Sequence, residues 1–213
     1  MLDPHTEHAT QLRNHWYWRP GHRPGRPFYT WHLTFERQYD LHRLVTEYQD
    51  TLADVPGLDP VPIPWLHITM QGIGFTDQVS DTDRNAIIEA TRRRLAEIPA
   101  PTLTFHHATI RPEAIALHPH PAQPVHTIRS HIRNAIADVW GTDHIPEPAT
   151  GYQPHLSIAY ANKNAEPLPA ADAIAALSTD PAQLILTSAS CIALTRINHT
   201  YHWDTHATAH LAG

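Results

Sequence analysis

Apolar and polar positions alternate over residues 28–35, FYTWHLTF, where aromatic and β-branched side chains dominate, and the alternation predicts a β-strand. Over residues 40–54 the period changes. Leu41, Leu44, Val45, Tyr48 and Leu52 recur three or four apart, the spacing of one helix face. The string PGLDPVPIP then breaks the chain ahead of a second alternating run, PWLHITMQ, from Pro64 to Gln71. Asp81-Thr82-Asp83 opens a helix reaching about Glu97, with Ile87, Ile88, Leu95 and Ile98 inward and Arg92-Arg93-Arg94 outward. Short strands follow at 101–107 and 114–118, joined by a turn at Arg111-Pro112, and then a helix at 125–140 carried by Ile128, Ile132, Ile136 and Val139. A strand within GYQPHLSIAY, a helix at 170–177, and strands at 182–197 and 201–206 around Asn198-His199 complete the pattern.

Several successive strands are too closely linked for parallel crossovers. The expected fold is therefore α+β and bilobal, with two mixed, mainly antiparallel sheets and flanking helices. Residues 1–27 lack apolar periodicity and end in RPGHRPGRP, yet contain His15-Trp16-Tyr17-Trp18-Arg19, which is too aromatic for a free tail. The expected organisation is an arm at 1–27 packed on the domain, a single bilobal domain at 28–206, and a tail at 207–213.

Composition narrows the classes. A chain of 213 residues can bury a proper core without disulfides or metal, and the single cysteine, Cys191, excludes an intrachain disulfide. No charged and then apolar leader is visible near Met1, and no apolar run is long enough to cross a bilayer. A monomeric, cytoplasmic protein with no membrane partner is the expectation. A formal net charge of −6 argues against capture of nucleic acid by bulk electrostatics, so any such partner must meet a local patch. Neither G-x-G-x-x-G nor G-x-x-x-x-G-K-[ST] occurs, so a phosphate would have to be held by side chains.

With 19 histidines in the chain, a lone His carries little information. His-x-[Thr/Ser] should occur roughly two or three times by chance; it occurs six times, and only His32, His67 and His155 sit in an apolar strand frame. In PWLHITMQ the side chains of His67 and Thr69 share one strand face while Leu66, Ile68 and Met70 take the other. His155 and Ser157 repeat the arrangement in QPHLSIAY. Each of these two motifs follows a helix and a proline-containing break and precedes another helix, so the chain reads as two comparable halves with one motif apiece.

LHITM and QPHLSIAY, with the proline just before the second histidine, resemble the two motifs of the 2H phosphoesterases, and within them the 2′-5′ RNA ligase and cyclic nucleotide phosphodiesterase group. The resemblance covers about residues 28–206. It departs in the turn after the first motif, Met70-Gln71-Gly72-Ile73-Gly74, and in Ser157 where threonine is commoner. It implies two similar lobes facing one groove, and substrates such as RNA 2′,3′-cyclic phosphate ends or small cyclic nucleotides. Two imidazoles titrating near neutrality can supply one acid and one base, with no metal and no cofactor, and Thr69 and Ser157 can donate to the phosphate's non-bridging oxygens. His67, Thr69, His155 and Ser157 are the expected catalytic set. The reverse reaction would join a cyclic end to a 5′-hydroxyl. Expected substrate contacts are His32 on the first strand, Tyr160 beside the second motif, and Arg196 and Tyr201 in the closing strands, with Arg19, Arg23 and Arg26 of the arm a further source of positive charge. Two other functions stay open: a non-catalytic RNA-end or nucleotide-binding module, and a metal-dependent hydrolase suggested by His106-His107 and His118-Pro119-His120, which lack accompanying ligands at familiar spacing.

Overall fold

The structure is a computed structural model that describes residues 8–213. Residues 1–7 of the expected arm lie outside the described residues. The chain runs β1 (Phe28–Thr34), α1 (Tyr39–Leu52), β2 (Leu58–Pro60), β3 (His67–Phe75), α2 (Asp81–Leu95), β4 (Thr102–Phe105), β5 (Ala108–Ile110), β6 (Ala114–Leu117), α3 (Gln123–Trp140), β7 (Leu156–Ala161), α4 (Leu168–Ala176), β8 (Ala182–Ile185), β9 (Ser188–Ile197) and β10 (Thr200–His210). The strands form one four-stranded sheet in the order β10-β9-β1-β3, a second in the order β2-β7-β6-β5, and a separate β4-β8 pair. One sheet carries the first His-x-Thr motif on β3 and the other carries the second on β7. No helix among the described residues is long and apolar enough to cross a membrane.

The helices form where the apolar stripe can be buried. Leu41, Leu44, Val45, Tyr48 and Leu52 of α1 are all in the core. At the start of α2 the Ser80 side chain accepts from the Asp83 backbone N–H, and Asp81 and Asp83 sit in the first turn where the helix dipole favours negative charge. The outward Arg92, Arg93 and Arg94 occupy its last turn, where positive charge is favoured.

Four differences from the sequence pattern have physical causes. Every ladder between named strands is antiparallel, so the sheets are not mixed. The PGLDPVPIP break contains β2, which pairs with β7 and draws its regularity from that partner rather than from its own residues. The run at 182–197 changes sheet part-way, β8 pairing with β4 and β9 with β1, whereas the run at 101–107 holds β4 alone and a further strand, β5, begins at Ala108 and joins β6. Finally, β10 does not stop at His206. It continues to His210 against β9, with Ala207 and Ala209 buried, so most of the expected tail belongs to the sheet. Alternating Ala and Thr is too weakly apolar to announce a strand.

The tie between the motif-bearing strands is Arg129, a buried guanidinium on α3. Its Nε donates to the Met70 carbonyl on β3 at 2.8 Å, and its terminal nitrogens donate to the Pro148 and Ala149 carbonyls at 3.1 and 3.2 Å. It also lies 4.3 Å from the centroid of the Tyr152 ring, whose hydroxyl donates to the Thr69 carbonyl at 3.0 Å. Beside it Arg133 donates to the Gln71 side chain at 2.8 Å and to the Glu147 carbonyl at 2.9 Å. Both arginines thus join β3 to the segment that leads into the second motif. Arg129→Met strands three carbonyls without their donor, and urea denaturation should show a loss of about 2–4 kcal/mol.

Candidate active site

A groove of about 360 Å³ contains all eight residues singled out from the sequence. His67 and His155 stand at the entrances of β3 and β7. The Nδ1–H of His67 donates to the Trp65 carbonyl at 2.8 Å, and that of His155 to the Gln153 carbonyl at 2.9 Å. The two motifs use the same local device, a ring hydrogen bond to the carbonyl two residues back. Since a carbonyl can only accept, the bond assigns the proton to Nδ1 and leaves Nε2 of each ring as the basic nitrogen. Thr69 lies two residues along β3 and is exposed, whereas Ser157 on β7 is buried beside the Tyr160 hydroxyl.

Burial sets the electrostatics. It holds the His155 pKa down at about 4, with Arg111 the next contribution and the Gln153 carbonyl opposing, and it lowers that of His67 against the opposing Trp65 carbonyl. Both rings are therefore neutral at pH 7.

His32 does not take the place expected of it. It is 0 % exposed, its ring stacked on that of His67 with centroids 4.4 Å apart and planes 3° apart, and its Nε2 lies 3.3 Å from Thr69 Oγ1. A side chain so covered reaches a ligand only through Thr69 and His67, so His32 is a support for both rather than a substrate contact. The β1–β3 register explains the stack, because His32 pairs with Thr69 and Thr34 with His67. Trp203 packs edge-on against both histidines.

Tyr160, Tyr201 and Arg196 meet at the other side of the groove, around a residue the sequence did not single out. His15 of the arm stacks on Tyr160 with centroids 4.0 Å apart. Its Nδ1 is 3.0 Å from Glu113 Oε2 and its Nε2 2.9 Å from the Tyr201 hydroxyl. Burial, helped by Arg19 and Arg196, pushes the His15 pKa down to about 3, which makes the ring neutral: Nδ1–H donates to Glu113 and Nε2 accepts from Tyr201. The Arg196 guanidinium donates to the Tyr17 carbonyl at 3.1 Å and lies 3.6 Å from the Trp18 ring centroid. Arg19, Arg23 and Arg26 also line the groove, giving four arginines there against one carboxylate, Glu147, in a chain whose net charge is −6. The sequence signal for the arm was its aromatic cluster; Glu113 and Glu147 had none.

The histidine pairs that suggested a metal hydrolase have other partners. His106 Nε2 bonds the Thr179 carbonyl, and His118 bonds Thr109 Oγ1 and the Pro154 carbonyl. Among the described residues no three His, Cys, Asp or Glu side chains gather in a metal-binding group.

A family model described as the 2′-5′ RNA ligase superfamily matches residues 38–198. Among solved structures, TT0787 of Thermus thermophilus superposes with a TM-score of 0.66 at 12 % identity, over 87 % of this chain and 98 % of that one. Escherichia coli LigT complexed with 3′-AMP gives 0.63 at 15 % identity over 88 % of this chain and 99 % of that one, and a protein described as a phosphoesterase gives 0.57 at 17 % over 90 % and 100 %. No curated protein matches the chain.

Keeping buried histidines neutral has a cost in acid. For His15 and His155 the folded pKa values of about 3 and about 4 lie below the ordinary 6.5, so the unfolded chain takes up protons first as pH falls. Their contribution is complete above about pH 6.5 and is lost as pH falls towards 4. Each such histidine adds about 1.4 kcal/mol per pH unit in that window. Urea midpoints measured from pH 7 to 4 should fall with a slope exceeding one proton per chain; a flat profile would contradict neutral burial.

Proposed function

The chain belongs to the 2′-5′ RNA ligase superfamily, and on that premise we propose that it is a metal-independent phosphoesterase acting on 2′,3′-cyclic phosphates or 2′-5′ phosphodiesters of RNA ends or nucleotides. The observation that carries the reading is the twin hydrogen bond from Nδ1 to the carbonyl two residues back, which leaves a basic Nε2 on each motif histidine in one groove. LigT has been crystallised with 3′-AMP, with phosphate, with ATP and with NADP+, which fits a groove in this fold that receives phosphorylated nucleotides.

In the hydrolytic direction one Nε2 takes a proton from water as the water oxygen bonds to phosphorus. The other ring, protonated at Nε2, gives its proton to the ribose oxygen as the phosphorus–oxygen bond to it breaks. Each turnover leaves the proton on the opposite ring, and exchange with solvent restores the starting state. Thr69 and Ser157 hydroxyls donate to the non-bridging oxygens, where charge spreads in the transition state. Arg196 and Tyr201 hold the ligand from the far side. With a 5′-hydroxyl in place of water as the nucleophile, its proton taken by the base, and with O3′ leaving and protonated by the acid, the same groups make a 2′-5′ linkage.

Hydrolysis of nucleoside 2′,3′-cyclic phosphates in excess EDTA tests the scheme. Turnover should survive chelation, and His67→Ala and His155→Ala should each lower kcat/KM by about 10²–10⁴-fold. Thr69→Val should cost about 10²-fold, mostly in kcat. Nucleotide binding without product would reduce the protein to a binding module, and activity lost to EDTA would reinstate the metal hydrolase.

The pH profile follows from the burial. One ring must be neutral and the other protonated, and in the free protein both titrate below the ordinary imidazole value. The optimum of kcat/KM should therefore lie on the acid side of about pH 6.5. Bound phosphate, being negative, favours the imidazolium and raises both values, so the optimum of kcat should lie at higher pH. Coincident optima, or one for kcat/KM near pH 8, would reject this assignment.

A further inference from the structure

The family match begins at residue 38, so the described arm lies wholly outside it. The arm nevertheless supplies Tyr17, Trp18, Arg19, His22, Arg23 and Arg26 to the groove. It is anchored on both sides. Towards the second sheet, the Ala9 N–H donates to the Ile110 carbonyl, Leu12 bridges to Ala165, the His15 N–H donates to the Ala161 carbonyl, and Trp16 Nε1 donates to Asp59. Towards the first sheet, Arg26 makes a forked pair with Asp77, lies 3.7 Å from the centroid of the Phe75 ring, and is followed directly by β1. Residues 17–26 therefore cross between the sheets as a fixed wall.

What that wall presents is unusual for a structural strap. Trp18 and Tyr17 keep 45 % and 51 % of their surfaces exposed, although both line a groove where apolar surface could have been buried. The Arg196 guanidinium lies against the Trp18 ring and limits how it can turn. The arginines divide into two kinds. Arg26 is neutralised by Asp77, whereas Arg19 gives one nitrogen to Glu113 and keeps a side chain 43 % exposed. Arg23 forms no ion pair with a carboxylate among the described residues. A held, half-open indole beside two exposed guanidiniums, one of them with no carboxylate partner among the described residues, is what a nucleotide unit needs: a flat face for any base, and forked donors for its phosphate.

We propose that the arm forms a second subsite, in which Trp18 stacks the base next to the reacting nucleotide and Arg19 and Arg23 hold the phosphate joining the two, so that the favoured substrate is an RNA end at least two nucleotides long. The inference rests on the reading of the groove as a phosphoesterase site and names its substrate class. It accounts for how a chain of net charge −6 engages RNA: the positive field is confined to one wall and needs only a short stretch of strand. The exposed stacking face makes the subsite tolerant of base identity.

The test compares kcat/KM for adenylyl-(3′-5′)-adenosine 2′,3′-cyclic phosphate with that for adenosine 2′,3′-cyclic phosphate. The natural sequence should favour the dinucleotide by about tenfold or more. Trp18→Ala and Arg23→Gln should each remove most of that preference. Arg93→Gln, an exposed arginine on α2 outside the groove, controls for net charge and should leave the ratio unchanged. Equal kcat/KM for the two substrates, or a preference that survives both arm substitutions, overturns the subsite while leaving the phosphoesterase reading intact. Failure to turn over either substrate rejects the phosphoesterase reading itself, and the subsite with it.

Discussion

Everything at the groove depends on holding two histidines from different sheets in one fixed relation, and the buried Arg129 guanidinium, with Arg133 beside it, links β3 to the segment that leads into the second motif. Arg129 spends its donors on the Met70 carbonyl of β3 and on the Pro148 and Ala149 carbonyls just ahead of the second motif, and packs on Tyr152, which in turn bonds the Thr69 carbonyl. A charge buried without a counter-ion is expensive, and the expense is offset only because several carbonyls converge on it. The arrangement is intolerant of misalignment, since a shift between the halves would strand several polar groups together. That intolerance favours a rigid groove, which acid–base transfer across one phosphorus requires.

Around that brace the histidines are handled by burial rather than by carboxylates. Among the described residues neither His67 nor His155 pairs with an acidic group; each is oriented by a backbone carbonyl, and His67 is further stacked on His32 with Trp203 edge-on to both rings. A carbonyl fixes the tautomer and favours the imidazolium less than a carboxylate would, too little here to overcome desolvation. Both rings are therefore neutral at pH 7, and in the proposed scheme the negative charge of a phosphate substrate supplies the drive to protonate one of them. His15 shows the contrast, since it does contact a carboxylate, Glu113, yet desolvation and the nearby arginines still keep it neutral and able to accept from Tyr201.

Much of this was legible in the sequence because it is written in periodicities. The two His-x-[Thr/Ser] strands and the flanking helices follow from alternation and repetition, whereas Tyr160, Arg196 and Tyr201 are singled out by side-chain chemistry, nearness to the second motif and resemblance to the family's closing strands. What escaped was set by partners distant in the chain. β2 exists because β7 offers it an edge, and the last part of β10 because β9 does, not because LDP or HATAH prefers to be extended. His32 was read as a substrate contact because its strand face is polar; its fully buried ring sits in the groove lining beneath His67 and Thr69, and no local pattern reports such a covering. Glu113 is invisible for the same reason, as its role exists only once His15 docks from about a hundred positions away.

The arm lies outside the residues that match the superfamily, and in the proposed subsite it is what gives this chain its own specificity. His67, Thr69, His155 and Ser157, the acid–base pair and phosphate-facing hydroxyls we propose, lie within the residues that match the superfamily, and in that scheme they act on any phosphodiester that reaches them. Selection among such substrates must come from surface beyond the reacting phosphate, because the chemistry itself sees only phosphorus and its oxygens. The arm is the one described segment that adds both aromatic and cationic surface there without belonging to the matched region. Its anchor is also its link to the chemistry. His15 seats the arm and holds the Tyr201 hydroxyl, and Tyr201 packs edge-on against His67, so a change in how the arm docks is felt one ring away from the acid–base pair.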